Sequence, residues 1–279
     1  MEILNPGNIL PFYANIHSQM KYRAGCKEFN WAIPLNQGES IPFQLPCGQA
    51  LPGDYTWQLL DSDGEIITSL LSSYLLYSEH EDGRAWLTYE GGNPPIQNLD
   101  CGVYSVVIRN AGIRFTAYSE QFRVTNIDQR ERAYKFTFTN AKDVDGIIYQ
   151  GGYTQKFWLL DCIFDTPEVV EVIENASDGD SVEVPTFQSV QVRSVLKFPY
   201  FPDYWHSIFP RFKMIDTLNM LKLETNESFA LVDTGLSFAT EEQDVCFKKG
   251  VLFWITSTQV MVGCETNEPM VYLDNILVV

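Results

Sequence analysis

Leu99-Asp100-Cys101-Gly102-Val103-Tyr104 decides how this chain is read. A glycine two residues before a tyrosine, at the head of an alternating run, is the pattern of a tyrosine corner. There a sandwich of the immunoglobulin kind turns into its late strands, and the tyrosine hydroxyl bonds back to nearby backbone. Tyr104, Val106 and Ile108 then recur at every second position, Asn110-Ala111-Gly112 reads as a turn, and Arg114 to Val124 returns as a second alternating run. Antibody domains place a cysteine two residues after the tyrosine. Val106 occupies that position here, so the inter-sheet disulfide is missing and only the architecture carries over.

Working outward, Tyr55 to Leu60 and Ile66 to Leu71 read as strands joined by the hairpin turn Asp61-Ser62-Asp63-Gly64-Glu65. Trp57 lies mid-strand, where a sandwich keeps its core tryptophan. Residues 1–38 are punctuated by Pro6, Gly7, Pro11, Gly25, Pro34 and Gly38 and read as an irregular arm that ties down onto its own domain or a neighbour. The polar stretch from Thr125 to Ala133 marks a domain boundary. The expected organisation is an arm over 1–38, an immunoglobulin-like β-sandwich over 39–127 and a second β-rich domain over 128–279. The fold class is mainly all-β, with tandem sandwich or barrel-like domains. In the second domain, strands are expected over 134–139, 146–149, 153–164, 169–173, 181–198, 217–223, 229–232, 251–257 and 259–263. One short helix interrupts them near 203–209, capped by Asp203, with Trp205, Ile208, Phe209 and Phe212 on one apolar face.

Composition narrows the function classes. The 279 residues are 45% hydrophobic and 14% aromatic, a globular balance, and the net charge of −17 opposes any stable wrapping of nucleic acid. It is compatible with lining a channel through which nucleic acid slides. No apolar run is long enough for membrane insertion, and the opening Met1 to Gly7 lacks the basic and apolar regions of a signal peptide, so synthesis in the cytoplasm is expected. Six scattered cysteines (26, 47, 101, 162, 246 and 264) form no C-x-x-C pair and read as buried reduced thiols.

The candidate chemistry is sparse. Asp143-Val144-Asp145-Gly146 begins like a calcium loop, but Thr154 stands where the closing carboxylate belongs, so it reads as a hairpin turn. Gly235-Leu236-Ser237-Phe238-Ala239 nearly spells a nucleophile elbow, yet no histidine follows it and a plain turn is the better reading. His17, His80 and His206 are the only imidazoles, and none stands beside an indicated nucleophile. No catalytic, metal-binding or cofactor-binding residue is assigned, and no enzyme activity is expected. Two surfaces remain. Tyr200, Phe201, Tyr204 and Trp205 form an aromatic cluster that is either a core plug or a protein interface, with sugar stacking a third option. Asp143, Asp145, Asp165, Glu168, Glu171, Glu174, Asp178, Asp180 and Glu183 form an acidic stretch. It is either a solvated face or a wall that repels phosphate or meets a basic partner.

Several of these stretches resemble structural proteins of phages and prophages that infect gut Bacteroidales, including the crAss-like podophages. They are the run Gly146 to Phe157 (GIIYQGGYTQKF), the acidic strand and turn from Glu168 to Glu183, the strand Ser189 to Phe198, and Pro202-Asp203-Tyr204-Trp205-His206. In the first part, Gly102-Val103-Tyr104 and Tyr118-Ser119-Glu120-Gln121-Phe122 are similar as well. The resemblance implies a virion component of the neck or tail, present in many copies and assembled with itself and other neck or tail proteins. It transfers no catalytic residue. Two other classes stay open at this point: a tail adsorption or baseplate module that binds host surface glycans, and a glycan hydrolase with unmarked carboxylates.

Overall fold

The computed structural model describes residues 4–5, 7–14, 32–47, 54–70, 75–79, 85–90, 96–143, 147–149, 152–165, 167–177, 183–202, 214–238, 247–261, 271–273 and 276–278. The chain is mainly β, organised in several separate sheets. Among the described residues the helical content is confined to 3-10 geometry, including the short turns Ile96–Asn98 and Ile127–Gln129. The helix expected near 203–209 lies outside the described residues.

Ten strands build the first part: β1 (Phe12–Tyr13), β2 (Ile33–Asn36), β3 (Phe43–Cys47), β4 (Tyr55–Leu60), β5 (Ile66–Leu70), β6 (Leu76–Glu79), β7 (Ala85–Tyr89), β8 (Gly102–Asn110), β9 (Phe115–Ser119) and β10 (Phe122–Thr125). One sheet has seven strands in the order β1-β9-β8-β10-β2, with β4 and β5 joined to it through β8; a three-stranded sheet, β3-β7-β6, is separate from it. Alternation turns Trp57 of β4 inward, where it meets Tyr89 of β7 at 5.2 Å and Phe43 of β3 at 6.1 Å. All three are almost fully buried, so aromatic rings fill the space between the two sheets. The β4–β5 turn forms as its residues require. Asp61 Oδ1 accepts from the backbone N–H groups of Asp63 and Glu65, both at 2.9 Å, and Gly64 takes the left-handed φ of 84°.

The tyrosine corner is present. Tyr104 Oη donates to the carbonyl of Asp100 at 2.9 Å. Its ring folds across Gly102, where an added Cβ would stand 2.9 Å from that hydroxyl and 3.1 Å from the ring carbon beneath it. Gly102 is therefore required for space. Gly102→Ala is expected to cost about 1–3 kcal/mol as an overpacked contact, and Tyr104→Phe about 1 kcal/mol for the lost hydrogen bond. The double variant should cost less than the two together, because Phe removes the nearest clashing atom; denaturant melts of the four proteins check this.

One side of β8 serves two partners. Its first residues pair with β10 and its last four with β9. Between them the ladder is carried by a side chain: Val106 N–H donates to Ser119 Oγ at 2.8 Å, and Ser119 Oγ donates to the Glu120 carbonyl. Glu120 is almost wholly buried, and its carboxylate accepts from Tyr13 Oη at 3.3 Å and Gln121 N–H at 2.9 Å. The Tyr118-Ser119-Glu120-Gln121-Phe122 motif thus lets one strand edge change partners without stranding a buried N–H.

The arm over 1–38 is not irregular where it is described. β1 pairs with β9, and β2 runs parallel to β10, both as members of the seven-stranded sheet. Asn5, Asn8, Ile9, Leu10, Phe12 and Tyr13 are buried. Pro34 is accommodated because β2 lies at the sheet's edge, where a missing N–H does not interrupt an interior ladder.

The second part holds β11 (Tyr134–Thr139), β12 (Gln155–Leu159), β13 (Ile163–Phe164), β14 (Glu168–Ser177), β15 (Glu183–Pro202), β16 (Thr217–Lys222), β17 (Glu227–Ala230), β18 (Val232–Phe238), β19 (Phe247–Met261), β20 (Val271–Leu273) and β21 (Ile276–Val278). β12-β11-β16-β17 form an antiparallel four-stranded sheet. The other seven strands form a sheet centred on β15 and β19. The expected strand over 146–149 reduces to a single bridge at Ile147. The run 153–164 divides into β12 and β13, because Asp161 takes a left-handed φ of 60° and breaks the extended chain. The runs 251–257 and 259–263 join into one strand, β19, ending at Met261. Gly235-Leu236-Ser237 lies inside β18 rather than in a turn. The register shifts between Val232 and Gly235, so the glycine marks a bulge.

The two parts share one hydrophobic core, which runs from Ile9 and Trp57 through Phe136 and Phe157 to Trp254. Phe136 stacks on Phe157 at 4.9 Å, and Phe164, Phe229 and Trp254 pack edge-on or tilted within 6.2 Å of one another. The junction after β10 is also fixed: Asn36 Oδ1 accepts from Ile127 N–H at 2.8 Å, and Asn36 Nδ2 donates to Asp128 at 3.0 Å.

Candidate assembly surfaces

Buried side-chain amides lace the two parts together. Asn8 clamps the backbone of Gln44, its Oδ1 accepting from Gln44 N–H at 2.9 Å while its Nδ2 donates to the Gln44 carbonyl. The Gln44 side chain then does the same to Ile148: Nε2 donates to the carbonyl at 2.6 Å and Oε1 accepts from the N–H at 2.8 Å. Gln155 repeats the device on the N-terminal segment, accepting from Ile9 N–H at 3.0 Å and donating to the Gly7 carbonyl at 3.2 Å. A carboxamide offers a donor and an acceptor side by side, so it can stand in for a neighbouring strand's backbone where no strand reaches. Asn8, Gln44 and Gln155 are each at most 2% exposed.

Beside this relay, Glu39 bridges the parts by pairing with Lys135 and accepting from Trp158 Nε1 at 2.7 Å, with the Lys135 ammonium 5.5 Å from the indole centre. Lys156 is close by. Burial first, and then Lys135, lowers its pKa, while Glu39 works the other way.

The acidic residues stand in different settings. Asp143 is a turn cap, its carboxylate accepting from Tyr149 N–H at 3.0 Å. Asp165 is paired with Lys197. Glu168 and Glu171 are exposed on β14. Glu174 belongs to β14 and Glu183 begins β15, each known by its backbone. Asp145, Asp178 and Asp180 lie outside the described residues. The nine acids therefore do not act as one wall, because two are consumed by local structure. Sequence alone could not separate them, since Lys197 comes from a strand 32 positions away.

Tyr200 and Phe201 continue β15 toward Pro202, past a register shift between Phe198 and Phe201, and Phe201 stands opposite Lys248. Phe198, at the head of that aromatic stretch, is core: it is 3% exposed and lies against Gly250. Tyr204 and Trp205 lie outside the described residues, as do the three histidines. Among the described cysteines Cys162 is buried, Cys47 half-buried and Cys101 exposed, which corrects the expectation of uniformly buried thiols.

β15 is the longest element, twenty residues. At about 3.3 Å per residue it extends roughly 65 Å, against about 40 Å across a compact domain of 150 residues. Ser194, Leu196 and Phe198 are buried, whereas Val190 to Arg193 are only partly so. Their partner residues on β14 include exposed Glu168, Val169 and Glu171. β14, β15 and β19 therefore form a ribbon whose stretch from Val190 to Arg193 is only partly covered.

Among the described residues no group of three or more metal-ligating side chains converges. No helix there is long and apolar enough to cross a membrane. Burial, the first cause in each case, raises the pKa of Tyr153, Tyr134, Tyr55 and Cys162. In the unfolded chain thiols ionise near pH 8.5 and tyrosines near 10. Stability from keeping these groups neutral is whole below those values and falls as pH rises through them toward the folded values. Lys156 has a lowered folded pKa, so the cost of holding its charge disappears over a similar range; one lysine offsets only part of the effect of four groups. Thermal melts should hold steady from about pH 6 to 8 and drop above about pH 9. A midpoint unchanged at about pH 11 would contradict this assignment.

A scan against protein-family models found no match for this chain, and a search of curated proteins found none either.

Proposed function

We propose that this chain is a virion structural protein, a subunit of an oligomeric ring or barrel in the neck or tail of a bacteriophage. It acts through protein–protein assembly with copies of itself and with other neck or tail proteins, after synthesis in the cytoplasm of the bacterial host. The observation that carries the reading is the β14–β15–β19 ribbon. A strand of twenty residues is long for a single core, and β14 beside it is paired on one side only among the described residues. The buried amide relay gives such a ribbon a rigid base. The sequence resemblance to phage structural proteins points the same way.

Electron microscopy of the purified full chain, together with mass spectrometry of phage particles, tests the proposal. Closed rings and recovery of the chain from particles are expected. A chain that stays monomeric at high concentration and is missing from particles overturns it.

A further inference from the structure

The first part of the molecule ends on two open strands. β5 pairs with β4 and β6 with β7, and among the described residues each pairs with that strand alone. Both strands lie on the same flank of the sandwich. Across the larger sheet the order is β1-β9-β8-β4-β5, and facing it is β3-β7-β6. Phe12 of β1 packs on Phe43 of β3 at 4.8 Å and Trp57 of β4 on Tyr89 of β7 at 5.2 Å, so the two orders run the same way and β6 lies on the β5 side. That flank carries exposed apolar side chains: Ile66 is 53% exposed, Ile67 47% and Leu76 of β6 52%. A register shift against β4 sets Leu59 opposite Thr68 and Leu60 opposite Ile66, which leaves Ile67 unopposed. This bulge exposes two neighbouring isoleucines where a protected edge keeps a lysine or a proline.

Charge selects the occupant. From Ile66 to Ser78 the sequence has no charged residue, although the chain holds 36 acids against 19 bases and a second copy brings the same net charge of −17. A like copy is therefore not repelled along this run. The nearest acids before it, Asp61, Asp63 and Glu65, stand at one end of β5, in the turn from β4. Pairing β5 parallel with its twin would set these three beside their copies, and like charges directly opposed are destabilising. Antiparallel pairing about Thr68, the middle of the strand, sends the two turns to opposite ends. They then stand roughly 20 Å or more apart, beyond the screening length of about 8 Å at physiological salt. That register opposes Ile66 to Leu70 and Ile67 to Ser69, with no acid facing another.

Resting on the assembly reading above, we propose that β5 of one copy pairs antiparallel with β5 of a second copy, joining their seven-stranded sheets into one. The same surface serves both partners, so the contact closes on itself as a two-fold pair and is distinct from the contact that closes a ring.

Charged variants of the full-length protein test it, with molar mass followed by light scattering across a concentration series. Ile66→Lys with Ile67→Lys makes one protein, and Ile66→Glu with Ile67→Glu a second. Both side chains are about half exposed, so each variant should fold, which circular dichroism melts check. Alone, each is expected to weaken pairing about tenfold or more, because its like charges meet across the two-fold axis. An equal mixture of the two should recover pairing to within about threefold of wild type. Variants that associate as wild type does overturn the β5 assignment and leave the assembly reading standing. Weakened variants that mixing does not recover give the edge to a different surface or another protein, and also overturn the proposal. A wild-type chain that never associates overturns the assembly reading itself, and this inference with it.

Discussion

Gln44→Leu is expected to lower the unfolding free energy by about 2–5 kcal/mol. Leucine has a similar length but neither donor nor acceptor, so the N–H and carbonyl of Ile148 both lose their partner. A fully buried group left unsatisfied costs about 1–3 kcal/mol; the two left here belong to the half-buried Ile148, so the loss falls short of the full sum. Gln44→Glu is the sharper variant: it keeps an acceptor for Ile148 N–H but opposes a carboxylate to the carbonyl. Its protonated form can donate as the amide does, so its folded pKa is raised, and the variant should gain stability relative to wild type as pH falls toward 4. Hydrogen exchange at the Ile148 amide supplies a local readout and should accelerate in both. A loss below about 0.5 kcal/mol with unchanged exchange would mean that the relay does not join the two parts.

That relay was invisible in the sequence, and the reason is physical. Asn8, Gln44 and Ile148 are separated by 36 and 104 positions. Periodicity and turn chemistry report only on neighbours, so nothing local distinguishes these amides from surface ones. What was legible is what is decided locally. The tyrosine corner and the Asp61 turn each close within five residues. Trp57 showed its burial through its place in an alternating strand. The Tyr118-Ser119-Glu120-Gln121-Phe122 stretch was visible as a motif but not in its role, because Ser119 serves Val106 thirteen positions earlier. The split at Asp161 left no trace, since an aspartate in an apolar run reads equally well as an exposed strand position. Of the assembly surface, the sequence showed that acids cluster between 143 and 183. It did not show which of them cap or pair within the fold, nor that β14 is paired on one side only among the described residues, because that depends on which strands meet.

Gly250→Ala is expected to be the most damaging single-methyl change in the described part of the chain. Gly250 and Phe198 are register partners on β19 and β15, and the ring lies against the glycine. An added Cβ would stand 2.1 Å from Phe198 Cε2 and 2.3 Å from Cζ, so the ring must leave its position. Phe198 is 3% exposed. Displacing a buried phenylalanine forfeits much of what deleting it would, about 3–5 kcal/mol. Gly250 is not in a left-handed conformation, unlike Gly38, Gly64 and Gly152, so the effect is one of volume and not of backbone strain. Pairing Gly250→Ala with Phe198→Ala separates the two explanations. If the ring is the obstacle, the double variant costs at least about 1 kcal/mol less than the two single changes together. Additive costs would place the fault in the backbone instead. The assembly readout is equally direct. Phe198 stands just before the register shift between β15 and β19, so under the proposed assembly role Gly250→Ala should also reduce oligomer formation in the fraction that remains folded.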